Sequence, residues 1–266
     1  MSSFVIKIIA IISMLIDHSG DALIGYSTPL NFIGRIAFPL FCFQLVNGYA
    51  HTHDVKKYCL RLGLFALISQ IPFGIMIYNY SGSKLALNVF FTLLFGLITL
   101  IVYDNKKLHI IYKCLIITCI LLIAHFINVD YQALGIILIL VIHIFYKRGI
   151  FNSKEFLVEN SNTTEKIGFV KNLNNSTTTA NITKHSVFYN KLFFALVMLV
   201  FSILRYLPVV GYFSFDYVFC FILCTFLPTF IMLMYNGKKG YSLKYFFYIF
   251  YPAHLIVLNI LHSIVF

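Results

Sequence analysis

The chain has 266 residues, of which 60% are hydrophobic and only 11% are charged. This composition excludes a soluble globular protein and indicates an integral membrane protein. The formal net charge of +11 would suggest nucleic-acid binding in a soluble domain, but in a membrane protein the placement of Lys and Arg decides its meaning.

Apolar stretches long enough to cross a hydrocarbon layer of about 30 Å recur along nearly the whole chain. They predict an all-α transmembrane bundle of about nine spans, near residues 4–25, 33–50, 58–79, 86–103, 108–127, 131–146, 188–207, 212–235 and 242–265. The pattern is also compatible with eight or ten spans, because the sixth is short. We expect a single membrane domain over 1–266, with a flexible cytoplasmic insert at about 147–187, which is rich in Asn, Thr, Ser and Lys.

The basic residues indicate the orientation of the bundle. With the N-terminus in the cytoplasm, Arg35, Lys84 and Arg205 are the only ones of the 20 Lys and Arg residues that fall on the outer side. The positive-inside rule explains this distribution without nucleic acid. The sequence therefore predicts contact with a lipid bilayer and no nucleic-acid partner.

A charged cluster is predicted in the outer half of the membrane. Asp17 and His18 lie about 20 Å along a helix that begins at the inner surface, and Arg35 reaches a similar depth in the second span. Charges in hydrocarbon are costly and usually mark a site, a pathway or an ion pair. We predict His18 as a general base, Asp17 as the group that tunes or orients it or a neighbour, and Arg35 as an oxyanion or carboxylate clamp. For Arg205 and Asp216, near the interface, a structural ion pair is the favoured interpretation.

A second polar cluster lies at the predicted cytoplasmic surface. Its members, at the end of the second span and the start of the third, are Asn47, His51, Lys56, Lys57 and Arg61. Such a surface suits a phosphate-bearing ligand or anionic lipid headgroups, and ordinary positive-inside loop composition is the alternative. His51 and His53 are too closely spaced to share one helical face, so no metal site is predicted.

Polar side chains within the spans, together with one that opens the sixth span, are predicted to connect the two clusters. Gln70, Asn88, Asp130 and His254 are predicted to line a polar tunnel through the bundle. The alternative is that they make hydrogen bonds between helices.

Five segments resemble the TraX family, named for a conjugation-associated protein that acetylates the amino terminus of pilin. They are KIIAIISMLIDHSG at 7–20, IGRIAFPLFCFQLVNGYAHT at 33–52, KKYCLRLGLFALISQIPF at 56–73, LNVFFTLLFGL at 87–97 and YFFYIFYPAHLIVL at 245–258. The IDH and GRIAFP blocks are the specific part. The chain departs from the family at 130–132, where DYQ stands in place of DYG.

The resemblance implies a polytopic acyltransferase in a bacterial cell membrane, with acetyl-CoA as co-substrate. Its phosphates would meet the basic inner cluster, and an amine or hydroxyl acceptor on a peptide, pilin or glycan would enter from outside. Direct transfer is favoured over a covalent acyl-enzyme, because no Ser or Cys is clearly activated beside His18. The alternatives are a secondary transporter with an Asp-His-Arg relay, and a membrane scaffold for pilus or conjugation assembly. The sequence does not fix the oligomeric state.

Overall fold

The computed structural model describes residues 1–24, 29–81, 86–151, 176–206, 214–241 and 244–266. In these ranges regular structure is helical, apart from one isolated backbone bridge between Leu87 and Val129. The helices are α1 (Ser3–Leu23), α2 (Pro29–Gly34), α3 (Ala37–Ala50), α4 (Val55–Ser81), α5 (Val89–Asp104), α6 (Ile110–Phe126), α7 (Gln132–Lys147), α8 (Ser176–Tyr206), α9 (Phe215–Phe226), α10 (Pro228–Leu233) and α11 (Lys244–Val265). The all-α prediction is confirmed.

Six helical segments in the described ranges are long and apolar enough to cross a membrane. They are Ser3–Leu23, Pro29–Ala50, Val55–Asn79, Phe188–Tyr206, Phe215–Leu233 and Tyr245–Val265. The shorter apolar helices α5, α6 and α7 have 16, 17 and 16 residues and occupy the fourth to sixth predicted spans. At about 1.5 Å per residue they are roughly 24–26 Å long, slightly shorter than the hydrocarbon layer.

Two of these segments are broken helices. Pro228 begins α10, and because proline cannot donate to the preceding turn, it accounts for the break from α9. The break between α2 and α3 falls at Arg35 and Ile36, without a proline at the junction. There the Arg35 Nε donates to the Asn31 carbonyl over 3.0 Å, which satisfies a carbonyl at the end of α2.

The α2–α3 segment lies at the centre of the bundle. In its most apolar stretch, 61% of the residues are buried, whereas the corresponding fraction for the apolar part of α8 is 22%. At its core Phe43 is fully buried and packs edge to face against Phe151 and Tyr235, with ring centroids 5.1 and 5.3 Å away. Because α3 runs between the two predicted polar clusters, it fixes the position of both.

The structure describes the two ends of the predicted insert at 147–187. Ile150 and Phe151 are buried in the core, and the backbone of residues 176–187 forms the first part of α8. Residues 152–175 lie outside the described residues.

Candidate active site

A cavity of about 240 Å³ lies at the end of the bundle opposite Met1, and we call it the outer cavity. Its polar lining includes Asp17, His18, Asp21, Arg35, Asp130, Tyr131 and Arg205. The structure thus brings the three predicted catalytic residues together, with Asp130. It adds Asp21, which sequence reasoning missed, Tyr131, to which it gave no role, and Arg205, which it assigned to an ion pair instead.

Asp17 is the centre of a hydrogen-bonded network between α1 and α2. Its Oδ1 accepts from the Arg35 guanidinium over 3.3 Å and from the Asn31 amide over 2.9 Å. The same Asn31 nitrogen donates to Asp21 over 2.8 Å. Asn31 and Asp21 are buried, whereas Asp17 and Arg35 retain 14% and 15% of their side-chain exposure. The ion pair therefore borders the cavity, and the buried Asn31 holds it in place through its hydrogen bond to Asp17.

Gly34 allows this close approach of α2 to α1. A Cβ built at Gly34 would lie 2.1 Å from the Asp17 Cγ, far inside van der Waals contact. Since Asp17 is already held by two partners, it cannot move without breaking the network. This clash supplies a physical reason for the glycine in the GRIAFP block.

A Gly34→Ala variant is expected to be less stable by about 1–3 kcal/mol, a typical cost of overpacking. The matched control is Gly63→Ala in α4, where the nearest atom, the Leu94 Cδ2, would be at an ordinary 3.8 Å. Thermal unfolding of the purified variants in detergent measures the difference. Equal midpoints for the two variants would contradict the proposed role of Gly34.

His18 pairs with His254 of α11, not with a carboxylate. The His18 Nδ1 and the His254 Nε2 are 2.8 Å apart, and the ring planes are within 6° of parallel. The ring centroids are 5.1 Å apart. This is about the distance expected when two coplanar imidazole rings face each other through the two hydrogen-bonded nitrogens, so the rings meet edge to edge. The His254 Nδ1 is 2.9 Å from the Phe250 carbonyl oxygen, and His254 is buried.

Asp130 reaches the outer cavity through a loop held by main-chain hydrogen bonds. Its N–H donates to the Leu87 carbonyl over 2.8 Å, and its own carbonyl accepts from the Thr92 hydroxyl. Burial raises the pKa of Asp130 to about 6, although Arg205 and Arg35 act in the opposite direction. The carboxyl therefore titrates much closer to neutral pH than an exposed aspartate.

Tyr131 and Arg205 form the other side of the cavity. Tyr131 adopts a left-handed φ of 60° and stacks on Phe38 at 3.6 Å between centroids. The Arg205 guanidinium lies over the rings of Tyr131 and Tyr206, at 5.6 and 5.2 Å. The predicted Arg205–Asp216 ion pair is not among those that the described residues form, because Arg205 lies over these rings instead.

A larger cavity of about 400 Å³, the inner cavity, lies at the end of the bundle that carries Met1. Its polar lining includes Lys7, Gln44, Asn47, His51, Tyr58, Arg61, Lys239 and Tyr248. His51 and Lys239 are exposed, so the cavity is open at this surface. The Arg61 Nε is buried and makes no hydrogen bond among the described residues.

The two cavities share one wall. Met14, Phe41, Val89 and Tyr251 line both of them. The Tyr251 ring lies 6.3 Å from the His18 ring and 5.5 Å from the His254 ring, between centroids. The inner cavity therefore ends next to the histidine pair, of which His18 lines the outer cavity.

The structure separates the predicted inner cluster into two groups. Asn47, His51 and Arg61 line the inner cavity, whereas Lys56 and Lys57 are exposed on the first turn of α4 and do not. Lys57 instead pairs with Asp54 over 3.3 Å. Lys7 and Lys239, which sequence reasoning missed, supply the additional positive charge in the cavity.

Gln70 and Asn88 join two helices and line neither cavity. The Gln70 Oε1 accepts from the Asn88 main-chain and side-chain nitrogens over 3.1 and 2.9 Å. The Asn88 side chain also donates to the Ala66 carbonyl over 2.8 Å and caps α5 at Phe90. This arrangement agrees with the alternative interpretation of interhelical hydrogen bonds rather than with a tunnel lining.

Replacing Asn88 with alanine is expected to cost about 1–3 kcal/mol of unfolding free energy, because it leaves buried polar partners unsatisfied. Asn105, at the other end of α5, is exposed, and its side-chain Oδ1 accepts from the Lys107 N–H over 2.9 Å at the surface. An Asn105→Ala control should therefore cost about 0.5 kcal/mol or less. Chemical denaturation in detergent compares the two variants. Similar losses of unfolding free energy would contradict the role of Asn88 in joining the two helices.

No group of three or more His, Cys, Asp or Glu residues in the described ranges is arranged to hold a metal ion.

Comparison with known proteins gives one family match and two relatives. The model of the TraX protein family matches residues 2–159. The probable fimbrial assembly protein FimC, serogroup H1, of Dichelobacter nodosus is 36% identical over 117 residues, covering 40% of this chain and 48% of that protein. An uncharacterized protein of Rickettsia prowazekii (strain Madrid E) is 33% identical over 85 residues, 32% of each chain. No solved structure matches.

These matches cover only parts of the chain and of the two relatives. The chain spans less than half the length of each of these two relatives. The family match contains Asp17, His18 and Arg35, whereas Lys239 and His254 lie beyond it.

Proposed function

Because this chain belongs to the TraX protein family, we propose that it is a membrane acetyltransferase. It moves an acetyl group from acetyl-CoA on the cytoplasmic side to an amine or hydroxyl acceptor at the other side of a bacterial cell membrane. The observation that carries the proposal is the shared wall of the two cavities, where a basic cavity from one end meets a histidine-containing cavity from the other.

The inner cavity has the chemistry that a phosphate-bearing donor needs. Lys7, Arg61 and Lys239 supply positive charge, and the buried Arg61 Nε lacks a hydrogen-bond partner among the described residues. This Nε–H is suited to a phosphate oxygen, which can accept a charge-assisted hydrogen bond from it. Acetyl-CoA, when bound, supplies a thioester whose carbonyl carbon is open to nucleophilic attack. The apolar end of the cavity at Met14 and Phe41 suits the uncharged arm.

His18 is the proposed general base. It removes the proton from the acceptor while the lone pair of the acceptor forms the new bond to the acetyl carbon. The carbon–sulfur bond then breaks with its electron pair on sulfur, which finally takes up the proton that His18 removed. Arg35, fixed by Asp17, offers a guanidinium for the oxyanion that develops or for a carboxylate of the acceptor.

The acceptor is proposed to be a component of a surface fibre. The relative from Dichelobacter nodosus is designated a probable fimbrial assembly protein, which supports a role in pilus, fimbrial or conjugation assembly. Peptide, pilin and glycan acceptors all carry the amine or hydroxyl group that the reaction requires.

The test uses the full chain reconstituted in liposomes, with isotope-labelled acetyl-CoA on the side of the inner cavity. Candidate acceptors are chosen by mass spectrometry of surface proteins and glycans from cells with and without the protein. The expected result is free CoA thiol on one side and acetylated acceptor on the other.

Two results would overturn the proposal. Movement of a substrate across the liposome membrane without consumption of acetyl-CoA would identify a transporter. Stable complexes with assembly proteins that survive joint replacement of Asp17, His18 and Arg35, without CoA release, would identify a scaffold.

A further inference from the structure

The hydrogen bonds of the histidine pair determine which nitrogen carries each proton. A carbonyl oxygen only accepts, so the His254 Nδ1, 2.9 Å from the Phe250 oxygen, must carry a hydrogen. A neutral imidazole has one N–H, so the His254 Nε2 is an acceptor. The His18 Nδ1, 2.8 Å away, must then be the donor. In neutral His18 this leaves Nε2 with a free lone pair.

The surroundings favour the neutral form of His254. It is buried in α11 with only 6% exposure, and a charge there would lack water to solvate it. The carboxylate adjacent in sequence to His18, Asp17, is bonded to Arg35 and Asn31. Asp17 therefore pairs with Arg35, and the group that orients His18 is another histidine.

We propose that His254 is a positioning residue that holds His18 with hydrogen on Nδ1, so that Nε2 is the base available to the outer cavity. This inference rests on the proposed acetyl transfer. It extends the site to α11, beyond residues 2–159 that the family match covers. A neutral acceptor orients the base without the cost of burying a second charge.

The decisive variants are His254→Gln and His254→Phe. The Gln side-chain oxygen can reach about the same position as the His254 Nε2 and can accept from His18, whereas Phe keeps a ring and removes the acceptor. We expect His254→Phe to lower kcat by about 10- to 100-fold, the usual effect of losing an orienting partner, with the KM for acetyl-CoA unchanged. His254→Gln should retain most of the activity.

The matched control is His262→Phe in the same helix. The His262 Nδ1 is also bonded to a main-chain carbonyl, that of Ala22, over 2.6 Å. His262 makes no contact with His18 among the described contacts, so its loss should leave kcat unchanged. Equal effects of His262→Phe and His254→Phe would overturn the positioning role.

Nitrogen NMR of histidine-labelled protein gives a readout that is independent of activity. Signals are assigned with a His18→Gln variant, and His18 is expected to carry its hydrogen on Nδ1 in the wild type and in His254→Gln. In His254→Phe, His18 should instead show a mixture of the two tautomers. Hydrogen on the His18 Nε2 in the wild type would overturn the inference. Absence of acetyl transfer with the expected tautomer present would overturn the proposed function alone.

Discussion

A His18→Ala variant is expected to lower the rate of acetyl transfer by roughly 10²- to 10⁴-fold, the usual contribution of a positioned general base. The reason is geometric, since His18 borders the outer cavity and lies beside the wall shared with the inner cavity. Among the described residues that line the outer cavity, His18 is the one imidazole, and His254 lies behind it in the hydrogen-bonded pair. Release of CoA thiol by reconstituted protein, in the presence of acceptor, measures the rate.

The control for this variant is His125→Ala. His125 is an exposed residue near the end of α6 whose Nδ1 is 3.0 Å from the Gln132 Oε1, and it lines neither cavity. Its replacement should leave the rate within a factor of about two, as for surface substitutions that disturb little. If His18→Ala folds normally and releases CoA at the wild-type rate, His18 is not the base.

The all-helical fold and the outer cluster could be predicted because both depend on local sequence. Apolar length fixes a spanning helix, and a charge within such a helix is conspicuous. Asp17 and Arg35 fall at the same depth because α1 and the α2–α3 segment follow one another in the chain and run in opposite directions. Their ion pair at 3.3 Å follows from that antiparallel arrangement.

The partner of His18 could not be predicted in this way. His254 lies 236 residues further along the chain, and helix order in sequence does not determine which helices pack together. The sequence identified His254 as a polar residue within a span and predicted that it lines a tunnel. Only the packing of α11 against α1 shows that it contacts His18 directly.

The inner cluster shows a different limit of sequence reasoning. A run of basic residues marks the cytoplasmic surface, but only some of its members point into a cavity. Lys56 and Lys57 are on the solvent side of α4, whereas Arg61, about one turn further on, faces inward. Lys239 reaches the same cavity from the loop before α11, whose backbone is bonded to the first residues of α1.

Replacing Arg61 with alanine is expected to weaken binding of acetyl-CoA by about 10- to 100-fold. A hydrogen bond to a charged group contributes roughly 1.5–3 kcal/mol, and each 1.4 kcal/mol or so is a factor of ten in affinity. The half-buried Arg61 lines the inner cavity with its Nε unsatisfied, so a phosphate oxygen there would complete its hydrogen bonding. Equilibrium binding of CoA to purified protein measures the effect without turnover, and the KM for acetyl-CoA should rise in parallel.

The matched controls for Arg61→Ala are Lys56→Ala and Lys57→Ala, which remove the same charge within two turns of the same helix. Because exposed charges are screened by solvent and salt, these controls should change CoA affinity by less than about threefold. Equal losses for all three variants would mean that the basic surface acts only through its net charge. In that case the inner cavity would not be the donor site, whereas a loss confined to Arg61→Ala would locate the phosphates inside it.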